Sequence, residues 1–587
     1  MNSFKYIKIV MLMFVLILAS CDNNLDEVPL SSLTPENLFQ TENDANAAAI
    51  GMYQGLLSSN TWGVLTPVYG WGIMGTDVWS IAANNTGEQS RFSRYSLSSA
   101  EDQVKKHWTN TYSIINRANN VLAYTGNIDA PEEVINSYLA EAYFIRALSY
   151  MDLVQYYGGV PLRIKPTTSI EDDLALPRAS EKETWTLVIS DLQFAERYLP
   201  STADAGRATK WAAKGLLAKA YLTRGGYPVG KYQEPEWFEK AAKTAFEVIS
   251  QSGKVLNPTS TGNPNAFREY GDQFLVSGEN SSESLFEIQF LELDYGGGWG
   301  YRSISGGKRF DNSESGSYYA LWGGSTVGTD FALSFDDNDI RFQWSIGPFG
   351  LNNNGRAQKP FTGWMPYKFR WESIPGNAWA SSTNAIVLRM ADVYLMYAEA
   401  SNEATGDPNN STYGMSAYDA INVVRQRAQV DLMDDTYLTK ASPFSTNDLL
   451  YGMSLESFKK NNANYDGRHV YYTGGLKESF QAAVLQERAW ELCFERHRWF
   501  DLKRTGNLLD FARNTMTKIG DGGRLATSAL VDPIDKSEWL NAGNQPQIGL
   551  IAWPPGGIQD FSLYMPIPDV EIQMNPALSQ ADQNPGY

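Results

Sequence analysis

Cysteine is nearly absent: the 587 residues hold two, Cys21 and Cys493, in such different surroundings that no disulfide framework can be built from them. Histidine is almost as scarce. His107, His469 and His497 are too scattered for a His-x-x-x-His metal helix, and no cysteine pair has zinc-site spacing. Metal catalysis therefore has no support, and no cofactor is expected. Cations are outnumbered, 48 Lys and Arg against 66 Asp and Glu, for a net charge of −18. That balance argues against nucleic acid, whose affinity rests on Lys and Arg neutralising phosphates. Acyl and nucleotide chemistry lack their signatures, for there is no Gly-x-Ser-x-Gly elbow, phosphate-binding loop or dinucleotide fingerprint. No EF-hand loop occurs, which leaves calcium open. Glycoside hydrolysis also stays open, because it needs only two carboxyl groups at a suitable separation and leaves no motif.

Long apolar runs are missing too, with one exception at the start. Lys5 and Lys8 precede Ile9 to Leu18, an apolar stretch too short to span a bilayer comfortably, so residues 1–20 read as a signal peptide. Leu18-Ala19-Ser20-Cys21 then gives a small-residue cleavage site with cysteine first in the mature chain, which resembles a bacterial lipobox. Cys21 is the expected lipidation site. Several acyl chains, at about 0.8 kcal/mol per buried methylene, would anchor the chain stably where one would not.

What is abundant is helical patterning. Ser180 and Glu183 form a capping box, and Thr34-Pro35 reads as an N-cap and first-turn proline. Val104, Trp108, Tyr112, Ile115, Ala118 and Leu122 recur at three or four residues, as do Trp185, Val188, Leu192, Ala195 and Leu199. Helices are expected at about 101–124, 131–156, 180–199, 209–224, 236–252, 389–403, 416–428 and 480–504. Gly158-Gly159 with Pro161 reads as a helix stop. Between about 255 and 385 the text turns to Gly, Ser, Asn and aromatics, broken by Ser284 to Phe290, which alternates as a half-buried strand with Phe286, Ile288 and Phe290 on one face. The fold class is thus mainly α: a helical scaffold (about 34–254 and 386–511), and an irregular, loop-rich lobe with short strands (about 255–385, plus 512–587). Paired helices on short turns suggest tetratricopeptide-like packing.

Seventeen tryptophans are the other surplus. Trp108, Trp185, Trp211, Trp237, Trp490 and Trp499 fall in predicted helices and are assigned to the core. Three more lie in 62–79 and six in 299–379, on loops, where recognition residues usually sit. Sugar C–H faces pack on flat rings while hydroxyls seek amides, carboxylates and guanidinium groups, so these loops suit a glycan. In 487–504, Arg488, Glu491, Glu495, Arg498 and Asp501 invite ion pairs around a helix whose Trp490, Cys493, Phe494 and Phe500 face inward. A packing network is the expected meaning of that cluster, with His497 a packed or exposed helical histidine and not a base, and Cys493 a buried thiol.

Several separated segments, in order, resemble the SusD/RagB family: NLFQTENDANAAAIGMY, YYGGVPL (156–162), RATKWAAKGLLAKAYL (207–222), LRMADVYLMYAEA (388–400), QERAWELCFERHRWFDLKRTG (486–506), YMPIPDVEIQMNP (564–576) and a final QNPGY. The resemblance implies a tetratricopeptide-like scaffold with the ligand site on the irregular lobe and on the loop after the first helix. Trp71, Asp77, Trp79, Trp299, Tyr301 and Trp322 are its expected glycan contacts. It further implies a non-catalytic lipoprotein, displayed on the outer membrane, that hands oligo- or polysaccharide to a SusC-like TonB-dependent transporter; the acidic CDNNLDE tail fits surface export in such proteins. Charge favours a neutral glucan such as laminarin or starch, and the same architecture could instead capture peptides. Cys21→Ala should release the mature protein from the membrane fraction of cells lacking the transporter. Its continued retention there would contradict lipidation at Cys21.

Overall fold

The computed structural model describes residues 39–58, 75–81, 88–93, 95–167, 175–231, 233–263, 265–290, short pieces between 325 and 369, 383–439, 475–509 and 563–587. Cys21 and the Thr34-Pro35 pair lie outside these residues. The first described helix is α1 (Glu42–Leu56), started by a capping box in which Thr41 accepts from the Asp44 N–H and the Asp44 carboxylate accepts from the Thr41 N–H. Then come α2 (Asp102–Tyr124), α3 (Glu132–Tyr157), α4 (Glu181–Tyr198), α5 (Lys210–Gly225) and α6 (Glu236–Gln251). The periodicity located all five within two residues at each end. Ser180 caps α4 with Glu183 as expected, and Thr209 caps α5.

Each helix packs on the next, α2 on α3, α3 on α4, α4 on α5 and α5 on α6. After α6 the chain leaves this array. It returns as α8 (Met390–Thr405), which packs on α6 as the next layer, followed by α9 (Ala417–Arg427) against α8. Between α6 and α8, in the excursion, lies the short helix α7 (Ile340–Ser345). The irregular lobe is therefore an insertion between two consecutive members of a stacked helical array. Among the described residues no helix is long and apolar enough to cross a membrane.

Eight short strands form four antiparallel pairs among the described residues. The ribbon β1 (Trp79–Ile81) with β3 (Ser325–Val327) sets Trp79 opposite Val327. The pair β2 (Ser284–Ile288) with β8 (Ala385–Arg389) is irregular in register. Minor pairs are β4 (Ile346–Gly347) with β7 (Met365–Pro366) and β5 (Gly350–Leu351) with β6 (Ala357–Gln358). β2 corrects the half-buried expectation, because every residue in it is buried. Its outward face packs too: the Glu287 carboxylate accepts from Asn384 Nδ2 and the Asn280 N–H, both at 3.0 Å. β8 lies on α5 at Gly215, where a Cβ would stand 2.5 Å from Leu388.

The single helix expected over 480–504 is two, α10 (Leu476–Glu491) and α11 (Arg498–Arg504). Between them Phe494 and Arg496 adopt left-handed φ of +65° and +67°. Each such residue costs roughly 1–3 kcal/mol, a strain that local propensity does not foretell and only surrounding contacts maintain. Trp499, Trp490, Trp185 and Trp108 are core as expected, whereas Trp211 and Trp237 are only partly buried at its edge.

α3 stops at Gly158, whose φ of +75° suits glycine, and Gly159 leaves no room for a side chain because its Cβ would meet the Ala179 carbonyl at 2.0 Å. This turn collects three of the separated segments. Arg178 donates to the Tyr157 and Gly159 carbonyls and to the Asp582 carbonyl and Asn584 Oδ1, while Asn584 Nδ2 donates to Tyr157 and Met565 carbonyls. The last 25 residues, including α12 (Asp569–Met574), thus close over α2 and α3. Trp499→Ala should cost about 3–5 kcal/mol of unfolding free energy by chemical denaturation, against about 1 kcal/mol for the half-buried Trp211→Ala. Equal small losses would take Trp499 out of the core.

Candidate functional site

The charge cluster of the C-terminal helices is the densest group of ionisable side chains among the described residues. Glu487, Glu491 and Glu495 are spaced four apart, and all three are buried. Arg341 of α7 reaches Glu487 at 2.5 Å and Glu491 at 3.3 Å, besides its neighbour Asp339. Lys368, also from the lobe, pairs with Glu495 at 2.5 Å and donates to the Glu491 carbonyl. From the scaffold, Arg389 joins Glu283, Glu491 and Glu495 at 2.6–2.7 Å, Arg427 joins Glu283 and Glu491, and Arg425 joins Glu487 at 2.6 Å. Five carboxylates (Glu283, Asp339, Glu487, Glu491, Glu495) thus face five cations (Arg341, Lys368, Arg389, Arg425, Arg427).

Beside it lies a second set. Arg488 holds Asp392 at 2.8 Å and Asp501 at 2.9 Å, Arg504 joins Asp501 and Glu399, and Lys219 holds Asp392 at 2.9 Å. Burial pushes these carboxyls up, and the cations override it: Asp501 is brought down to about 2, and Asp392, Glu491 and Glu495 lie below the usual carboxylate range. These carboxylates are buried and each is taken up by cations of the protein itself, which is the arrangement of a packing network. Burial, then the Lys219 ammonium 3.0 Å from Nδ1, takes His497 down to about 3; of the two expected states, packed or exposed, it is the packed one. Cys493 is buried with its thiol pushed up to about 11. An adjoining cavity of about 60 Å³, lined by Asp152, Lys219 and Arg496 among others, has room for a few waters and not for a sugar ring.

Of the expected glycan contacts, two fall on described residues. Asp77 is tied to Arg498 by a two-pronged pair at 2.8 and 2.5 Å. That pair anchors the loop after α1 to α11, and only a small part of the Asp77 side chain is exposed. Trp79 departs from the expectation of an exposed stacking ring. It is fully buried, edge-on to Phe494 at 6.4 Å, so the ring staples its loop to the strained 492–497 turn. Trp71, Trp299, Tyr301 and Trp322 lie outside the described residues. The β1–β3 ribbon nevertheless joins the two aromatic-rich stretches: 62–94 supplies one strand and 299–379 the other. Sequence reasoning missed Glu283, Arg341, Lys368, Arg389, Arg425 and Arg427. Arg389 alone carried a signal, a cation set in the apolar text of AIVLRMADV, which marks a buried ion whose partner is remote.

Neutral His497 gives the fold an acid-side liability. The unfolded imidazole takes a proton below its ordinary value of 6.5, and the folded one only near 3, so stability is complete above about pH 6.5 and is lost as pH falls toward 3. Asp336, raised to about 6 by burial, works in the opposite sense, since the folded state already binds its proton there. The difference between proteins isolates the histidine. His497→Asn, which keeps an acceptor for Lys219, should lose less melting temperature than the parent between pH 6.5 and 4.5; parallel curves would show that His497 titrates normally.

Comparison with known proteins follows this geometry. Residues 282–587 match the model of the SusD family, and residues 25–222 match a model described as starch-binding, associating with the outer membrane. SusD-like protein P25 of Formosa agariphila is 28% identical over 97% of both chains, and SusD-like protein P2 of the same organism is 25% identical over 85% of this chain and 90% of its own. A crystal structure of a SusD homolog from Bacteroides thetaiotaomicron superposes with a TM-score of 0.70 at 22% identity, covering 94% of this chain and 98% of the other. Another, solved with xylogluco-oligosaccharide, gives 0.65 at 19% identity over 91% and 98%. With a helical array of the same architecture and a family match over more than half its length, the chain belongs to the SusD family.

Proposed function

We propose that this protein captures oligo- or polysaccharide chains at the outer membrane, held there through lipidated Cys21, and passes them unaltered to a SusC-like TonB-dependent transporter. The observation that carries this reading is the family match, reinforced by relatives aligned over nearly the whole chain. A neighbour of the same fold was crystallised with a xylogluco-oligosaccharide, and the N-terminal model is described as starch-binding and associating with the outer membrane. The architecture supports it: Arg341 and Lys368 pin the described parts of the lobe to the helical array through buried ion pairs, and the sequence places six tryptophans between residues 299 and 379.

The ligand we favour is a neutral glucan such as laminarin or starch, with Trp71, Trp299, Tyr301 and Trp322 as the ring platforms. Asp77 has lone pairs left beside its Arg498 bond and could accept from a sugar hydroxyl at the edge of such a site. C–H contact and neutral hydrogen bonds do not depend on long-range charge, so affinity should change by less than about threefold between low and high salt. Affinity gels cast with laminarin, starch or xyloglucan, with reducing ends assayed in parallel, test the reading. Retardation in at least one gel without release of reducing ends is expected. Free migration in all of them would overturn glycan capture, and rising reducing ends would replace it with a hydrolase.

A further inference from the structure

Outside the lobe, an open cleft of about 730 Å³ lies between the N-terminal halves of α1 and α3 and the 200–208 turn that leads into α5. That volume falls within the range of small-ligand sites. Its floor is internally satisfied. The Tyr53 hydroxyl donates to Glu141 at 2.7 Å, Arg207 grips Glu141 at 2.6 and 3.1 Å, and Arg207 also donates to Asn46 Oδ1 at 2.7 Å. Its outer wall is fixed as well. Gly206 has φ of +85°, and a Cβ there would strike the Gln289 side chain at 2.4 Å. The Lys210 N–H closes the turn on the Pro200 carbonyl at 2.8 Å. Floor and wall are thus preformed, and the wall touches Gln289, just beyond the end of β2 where the chain departs for the lobe.

The lining selects by elimination. Among the described residues Arg207 is the only cation in it, and its charge is already matched by Glu141, so an anionic ligand finds no free partner there. Among the described residues no group of His, Cys, Asp or Glu is placed to hold a metal ion. The exposed carboxylates of Glu42 and Glu133 sit in the first turns of α1 and α3, where the helix dipoles offset part of their charge. What remains is hydrogen-bonding capacity around a ring. Asn46 spends its oxygen on Arg207 and keeps its amide N–H groups, Glu133 and Asp204 offer acceptors beside Glu42, which already accepts from the Tyr138 hydroxyl, and the partly exposed Tyr138 ring lines the cleft with the Arg207 guanidinium 5.9 Å from its centroid. A flat ring beside amide and carboxylate groups suits the C–H face and hydroxyls of a sugar. We propose that this cleft is a second saccharide subsite, on the helical scaffold, taking one or two neutral sugar residues of a chain gripped mainly at the lobe. It rests on the glycan-capture reading above.

Hydrogen exchange of the mature chain with saturating laminarihexaose, maltohexaose or a xylogluco-oligosaccharide tests it. With the saccharide that binds, amides in 133–141 and 200–209 should exchange more slowly. Tyr138→Ala and Asn46→Ala should weaken binding of that saccharide about fivefold. Thr202→Trp, which fills the cleft from an exposed turn position and removes no internal bond, should do the same with an unchanged melting temperature. Binding with protection confined to other segments, and with all three variants equal to the parent, would overturn the subsite and leave glycan capture standing. Failure of every saccharide to bind would overturn both. Protection of the cleft by a lysine-rich peptide and by no saccharide would overturn the ligand class.

Discussion

Glu491 has three guanidinium partners, and each comes from a different part of the chain: Arg341 from the lobe, Arg389 from the end of β8 and Arg427 from the end of α9. A lone carboxylate buried this deeply would be protonated or would unfold the region, and without Glu491 each of the three buried cations would lose one of its counter-charges. The charges are therefore tolerable only together. That condition ties the lobe to the scaffold more specifically than apolar packing could, because shifting α7 by one residue would take the buried Arg341 guanidinium away from both Glu487 and Glu491. Lys368 makes the same demand at Glu495.

Other features follow from meeting that demand. Glu495 lies beyond the end of α10, in the 492–497 turn, and still points at Arg389, which requires the chain to leave helical geometry without leaving the site. Left-handed Phe494 and Arg496 are the result. Once turned, Phe494 offers its ring to Trp79, Arg496 reaches Asp152 at 3.3 Å, and Arg498 at the start of α11 takes Asp77. The loop after α1 is thereby fastened to the same turn as the lobe. Two stretches far apart in sequence, both carrying the aromatics expected to meet a glycan, share one support.

The helices were legible because burial on one side imposes a 3.6-residue period, and because Ser180 caps with its own side chain and Glu183 closes the box. Buried β2 was read as half-buried, since period-two alternation ignores what packs on the polar face, here Asn384 and Asn280 bonding Glu287. The 480–504 segment read as one helix because Leu492 to His497 carry no glycine or proline to mark the break. Its charges were legible as an ion-pair cluster, but the partners were not, as Arg341 and Glu283 lie more than a hundred residues away. The burial of Trp79 was not legible for the same reason: a loop tryptophan gives no sign, in one sequence, of whether it faces a sugar or Phe494.

The central claim is that lobe and scaffold form one cooperative body through this ion network. Native-state hydrogen exchange on the ligand-free chain, followed against low denaturant, tests it most directly. If the claim holds, amides of β2, β8, α7, α8 and α10 share one opening free energy and one denaturant slope. If α7 opens at markedly lower free energy while α8 and α10 stay protected, the lobe is an independent module and the network does not join the two.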